Sequence, residues 1–140
     1  MAEGSPDIDR LKAKLGVEWA PWSYPVERGM VRRFARAVGD PRWREGTVAP
    51  PTFVLAIGFE QFVDEVMSLV PFGTMLMGGT ELECYHPIKG GDVITVIFKI
   101  SSLRERQGKM GRMAFMTFDS TYKNQGEELV ARCHQMVIGY

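Results

Sequence analysis

Two carboxylates, Asp40 and Glu45, stand five residues apart in the stretch 39–51, GDPRWREGTVAPP. Such a pair could do general acid and base work, provided that burial raised the pKa of Glu45. Nothing in this polar loop forces that burial, and Asp40 between Gly39 and Pro41 is equally a turn residue. Arg42 and Trp43 lie between the two acids. They either line a tunnel or partner surface, or pin the loop with an aromatic anchor. His86 precedes Pro87 at a predicted strand end and His134 falls mid-strand, which suits structural histidines. Their spacing fits no standard metal motif, so neither a metal nor any cofactor is expected. Cys84 and Cys133 form no CxxC and alternate with apolar neighbours, which predicts reduced, buried thiols.

These residues need elements to position them. The run 52–70, TFVLAIGFEQFVDEVMSLV, is apolar on every side at first, then carries Glu60, Gln61, Asp64, Glu65 and Ser68 at helical spacing. That pattern predicts one long buried helix, with Pro50 and Pro51 before it and Pro71 after it. A short helix capped by Asp7 presents Ile8, Leu11 and Leu15, and Gly16 ends it. Residues 19–26 read as an extended edge piece. A second helix over 27–38 turns Met30, Val31, Phe34 and Val38 inward and leaves Arg28, Arg32, Arg33 and Arg36 solvated or available to phosphates. Strands are expected over 74–86, 93–101, 112–122 and 128–139, joined by turns at 87–92 and 124–126. Residues 103–111 read as a charged connection. Ile94, Val96, Phe98 and Ile100 mark the core side of the clearest strand. The pair Gly78-Gly79 inside a strand signals a bulge or a close backbone approach. The methionines, Met75, Met77, Met110, Met113 and Met116 among them, suit core filling or a pliable groove. One long helix against a curved antiparallel sheet is an α+β architecture of the hot-dog kind.

A chain of 140 residues suits a single domain, with residues 1–6 frayed. Seventeen basic residues balance seventeen acidic ones, which gives no reason to expect nucleic acid or an anionic membrane as partner. No apolar run reaches the ~18 residues of a membrane span, and the N-terminus shows no signal region, so a cytoplasmic location is expected.

Three segments together, FARAVGDPRW (34–43), VAPPTF (48–53) and GGTELECYHPIKGGD (78–92), resemble the MaoC-type hot-dog hydratases and dehydratases. The likeness is to the FAS1-like dehydratase sub-branch and runs from Val17 to Ile138. It implies chemistry on enoyl or 3-hydroxyacyl thioesters of CoA or acyl carrier protein, in fatty-acid or steroid metabolism. Catalytic members use an aspartate and a histidine five residues on to hold and deprotonate water. A glycine N–H at the central helix start binds the thioester oxygen.

Asp40 matches the motif aspartate, but Glu45 stands where the histidine would be and Pro51 where the glycine would be. Proline has no N–H to give. The resemblance therefore implies a degenerate half that shapes the acyl-tail tunnel beside a catalytic hot-dog subunit. Arg42, Trp43, Pro51, Thr52, Phe53, Gly78 and Gly79 are the substrate-binding candidates, with Asp40 and Glu45 as weak catalytic ones. The other readings are a self-sufficient homodimeric hydratase using Asp40 with Glu45, a non-enzymatic acyl-CoA binding module, and a thioesterase. Each expects a dimer, homo- or heteromeric, because pairing two sheets side by side covers an open edge.

Overall fold

A computed structural model describes residues 6–42, 45–109 and 111–140. Trp43, Met110 and residues 1–5 of the expected fraying over 1–6 lie outside the described residues, while Pro6 begins the first helix. Five strands form one antiparallel sheet: β1 (Trp22–Pro25), β2 (Met75–Cys84), β3 (Val93–Gly108), β4 (Gly111–Lys123) and β5 (Leu129–Gly139). Their order across the sheet is β1-β3-β4-β5-β2, so the edge strands are β1 and β2. Two helices, α1 (Pro6–Ala13) and α2 (Arg28–Val38), and a central helical segment complete the α+β hot-dog architecture.

Side-chain alternation decides which face of the sheet receives the central segment. Ile94, Val96, Phe98 and Ile100 of β3 are all buried, as are Ala114, Met116, Phe118 and Tyr122 of β4. Phe62 of the central segment packs edge-on against Phe98 at 5.6 Å and Phe118 at 5.2 Å. Phe98 and Phe118 in turn stack at 5.4 Å, and Trp22 of β1 stacks on Phe98 at 5.9 Å.

The central segment is not one unbroken helix. It begins as a 3-10 turn over Pro51–Ala56 and breaks at Ile57 and Gly58. It then resumes through Phe59–Gln61, a π turn over Phe62–Val66 and a last 3-10 turn over Met67–Leu69. Gly58 causes the break, because its φ of 84° is left-handed, a conformation that side-chain-bearing residues rarely adopt. Apolar periodicity reads through such a glycine, since both halves bury the same face.

Three further expectations change. In α2 the buried residues are Val31 and Ala35, while Met30 and Val38 are 41% and 54% exposed. The helix touches the core along a narrow stripe completed by Phe34, which meets Phe53 at 5.4 Å. Leu15 is likewise exposed beyond the end of α1, which buries Ile8 and Leu11. The charged stretch after Ser101 continues β3 as far as Gly108, past a register shift between Ile100 and Ser102. There Glu105 pairs with Arg112 across the hairpin and with Lys12 at 2.9 Å, so cross-strand pairing overrides polarity. The glycine pair does mark a bulge, with the β2–β5 register shifting between Met77 and Gly79. Of the methionines, Met116 is fully buried and Met77 is 58% exposed.

Gly58→Ala should destabilise the protein by about 1–2 kcal/mol, the cost of a side chain held left-handed. Denaturant unfolding measures this, and an unchanged midpoint would remove the proposed cause of the break.

Candidate functional site

The loop that holds the two acids is tied down by backbone bonds. Gly39 ends α2 at a left-handed φ of 78°, and the Asp40 N–H donates to the Ala35 carbonyl at 2.8 Å. Further on, Val48 bridges to Lys89, the Ala49 N–H donates to the Ile88 carbonyl at 2.8 Å, and the Gly90 N–H to the Thr47 carbonyl at 3.1 Å. The far side is set by Tyr85 and His86, whose N–H groups both donate to the Val130 carbonyl, at 2.8 and 3.3 Å. Between these pieces lies a cleft of about 260 Å³. Val48, Ala49, Pro50, Val54, Ile88, Val130 and Ala131 give it an apolar floor; Arg42, Pro51, Cys84, Tyr85, His86 and Pro87 complete its lining.

Both oxygens of the Asp40 carboxylate accept from Arg42. Its Oδ1 accepts the Arg42 backbone N–H at 2.9 Å and Nε–H at 3.2 Å, and its Oδ2 accepts Nη2–H at 3.1 Å. The hydrogen bonds from the Arg42 side chain, then from its backbone, hold the Asp40 carboxyl below the usual range. Its side chain is 11% exposed, and Arg42 rather than Asp40 faces the cleft. Glu45 is exposed. Its backbone carbonyl accepts from Arg28 at 3.2 Å, and its N–H donates to the Arg42 carbonyl at 3.1 Å.

At the start of the central segment Pro50 and Pro51 stand in succession. Neither offers an N–H, and the Phe53 N–H is taken by the Pro50 carbonyl at 2.9 Å. Thr52 is exposed, and Phe53 is buried in the core at 2% exposure. Gly78 and Gly79 sit on β2 about 17 Å along the strand from Cys84 and do not line the cleft. Of the substrate-binding candidates the structure thus brings Arg42 and Pro51 together at the cleft. Trp43 lies outside the described residues.

Sequence reasoning set His86 apart from this region, yet it lines the cleft, with Nε2 3.6 Å from the Glu128 carboxylate. The pairing of β2 with β5 and the Ala49–Ile88 bond carry it there, and no local motif could have signalled it. His134 is exposed on the opposite face of the sheet, where Nδ1 meets Asp119 Oδ1 at 2.5 Å. Among the described residues no cluster of His, Cys, Asp and Glu could hold a metal ion.

Both cysteines are free, but only Cys133 is buried. Burial pushes its thiol up to about 11, aided by the charge of Asp119. Cys84 is exposed, against expectation, because it ends an edge strand where the cleft opens. Tyr122, buried beneath the central segment, is likewise pushed up to about 12, chiefly by desolvation.

These features define an α+β hot-dog domain with a cleft at the start of its central segment. A model of the FAS1-like, dehydratase domain region matches residues 13–133, so the chain belongs to that family, among the MaoC-like hot-dog hydratases and dehydratases. A UPF0336 protein of Streptomyces avermitilis is 31% identical over 100 residues, 61% of this chain and 67% of the relative. A C-terminally truncated HadBC complex of Mycobacterium tuberculosis, a 3R-hydroxyacyl-ACP dehydratase, is similar with a TM-score of 0.74 and 25% identity. That match covers 90% of this chain and 97% of the other. A MaoC-like dehydratase is similar at a TM-score of 0.70 and 26% identity, over 92% of this chain and 43% of that one.

Two outcomes test the site. In carboxyl NMR titration Asp40 should titrate below the ordinary value of about 3.9, and Arg42→Ala should return it there. Because the folded-state pKa is the depressed one, the pair's stabilisation is complete above the ordinary value and is lost as pH falls through the depressed one. With a thiol reagent the native protein should show one fast-reacting group, which Cys84→Ser removes. Cys133 should react only on unfolding.

Proposed function

We propose that this chain is the degenerate, acyl-tail-binding subunit of a MaoC-type enoyl-thioester hydratase or 3-hydroxyacyl-thioester dehydratase, paired with a catalytic hot-dog subunit. The observation that carries the reading is the state of the chemical parts. Arg42 occupies both oxygens of Asp40, Glu45 replaces the imidazole, and Pro51 has no N–H for a thioester oxygen. An apolar cleft of about 260 Å³ remains, which suits holding a chain rather than breaking a bond.

The partner would add to the open edge of β2. Leu76, Met77 and Tyr85 are 49%, 58% and 46% exposed along and beside that strand, and Phe59 and Val63 of the central segment are 59% and 41% exposed. A row of unpaired backbone groups beside exposed apolar side chains is what a second sheet would cover. HadBC, described by its name as a complex and an acyl-ACP dehydratase, supplies the analogy for such pairing. No described helix is long and apolar enough to cross a membrane, and a cytoplasmic setting fits this role.

The position of His86 favours one competing reading, a self-sufficient hydratase drawing its base from the segment just after β2 rather than from the loop. One assay separates the two. Under the subunit reading, the pure chain leaves crotonyl-CoA unhydrated, and activity appears on mixing with a hot-dog partner that carries the Asp and His motif. Turnover by the pure chain at ordinary hydratase rates, abolished by His86→Ala, would replace the subunit reading with the self-sufficient one.

A further inference from the structure

Strand register fixes a pattern on the outer face of the sheet, the one turned away from the core. Across four neighbouring strands Lys99 stands opposite Asp119, Asp119 opposite His134 and His134 opposite Glu81. Along this row a basic residue and an acidic one alternate twice, and within it His134 Nδ1 meets Asp119 Oδ1 at 2.5 Å. Further along the strands the face turns apolar, with Thr117 opposite Met136 and Phe115 opposite Ile138. Phe115 and Ile138 are half-buried, and Met136 is 36% exposed. The helices bury their apolar residues, Leu11, Val31 and Phe53 among them, with the opposite face.

Two copies brought together on this face read each row backwards. A two-fold axis running along the strands between β4 and β5 sets β4 against β5 of the second copy, and β3 against its β2. Lys99 then faces Glu81 of the second copy, Asp119 faces its His134, and Phe115 faces its Ile138. Unlike charges meet, and apolar side chains meet. Moving the axis onto β4 would set Asp119 on Asp119, and moving it onto β5 would set Asp119 on Glu81. Like charges therefore penalise the neighbouring arrangements, and the row specifies one.

We propose that the outer face of the sheet joins two copies of this chain about that axis. The matching rows span about 14 Å across the strands and about 14 Å along them, a small contact that suits reversible association. Apolar side chains supply its attraction, and the charged row sets its register. The long side chains of Lys99 and Glu81 reach across the gap that a twisted sheet leaves away from the axis. A small ion fits the same region less well. The depression of about 450 Å³ there is lined by both signs of charge, Lys99 and Arg132 beside Glu81, Glu83 and Asp119, which suits an alternating surface. Contact through this face leaves the cleft and the backbone edge of β2 free, so it does not depend on the subunit pairing proposed above.

Sedimentation velocity over a concentration series of the full chain, with charge reversals, tests the arrangement. The wild-type chain should associate reversibly. Lys99→Glu sets like charges face to face, as does Glu81→Lys, and each alone should weaken association about tenfold. Mixing the two variants should restore it, because each chain of the mixed pair then meets an unlike charge at both ends of the row. Within one chain Lys99 and Glu81 stand three strand spacings apart, about 14 Å, so no internal contact explains that rescue. Thermal melting checks that each variant is folded. The doubly reversed chain, Lys99→Glu with Glu81→Lys, should associate like wild type and gives the same reading if a single variant fails to fold. Where copies also join through the β2 edge, each reversal should halve the mass of the largest species. A wild-type chain that stays monomeric at the highest concentration would overturn the proposal. So would an association indifferent to both reversals, or a loss that neither mixing nor double reversal repairs.

Discussion

Phe98 is the contact on which the arrangement turns. It lies within 6 Å, centroid to centroid, of Trp19 and Trp22 at 5.9 Å, Phe62 at 5.6 Å and Phe118 at 5.4 Å. One buried ring thus joins the N-terminal edge piece, the central segment and two strands of the sheet. Aromatic side chains bury the most area per residue, and offset or edge-on contacts add to that burial. With Phe62 pinned on Phe98 and Phe118, the rest of the central segment has little freedom. Gly58 must turn beneath Trp22, and the two prolines must meet the far end of β2.

The cleft follows from that placement rather than from a local motif. Its walls come from the loop after α2, the start of the central segment, the end of β2 and the beginning of β5. Backbone bonds from Ala49 to Ile88 and from Tyr85 to Val130 close the frame. The apolar floor is therefore rigid, while the polar rim depends on single side chains. Both oxygens of Asp40 accept from Arg42, Oδ1 twice and Oδ2 once. Two successive prolines also deprive a helix start of the donors that normally make it an anion site.

Charge is arranged on the same frame. The arginines of α2 lie outside the cleft, and the His134–Asp119 pair lies on the other face of the sheet with Lys99, Arg132 and Glu81 nearby. The alternation of side chains along each strand enforces this separation. A residue one step along β5 from the buried Cys133 must point away from the core.

Much was legible before the fold was known. The core face of β3, the extended edge piece within residues 19–26 and the bulge at the glycine pair all follow from periodicity and turn chemistry. The motif set identified the family, and the absence of an imidazole at position 45 and of an N–H at Pro51 is a matter of residue type alone. Other features could not be read. Gly58 breaks the central segment where it turns left-handed against Trp22, thirty-six residues earlier. Residues 104–107 extend β3 because β4 supplies partners for their backbone and charges. Cys84 is exposed and His86 lines the cleft because β2 is an edge strand paired to β5. Residue type and spacing determined which chemistry this chain can and cannot offer, since those are properties of single side chains and their near neighbours. Which groups share one cleft was decided only by tertiary structure, because strand register and ring packing join residues that no local pattern connects.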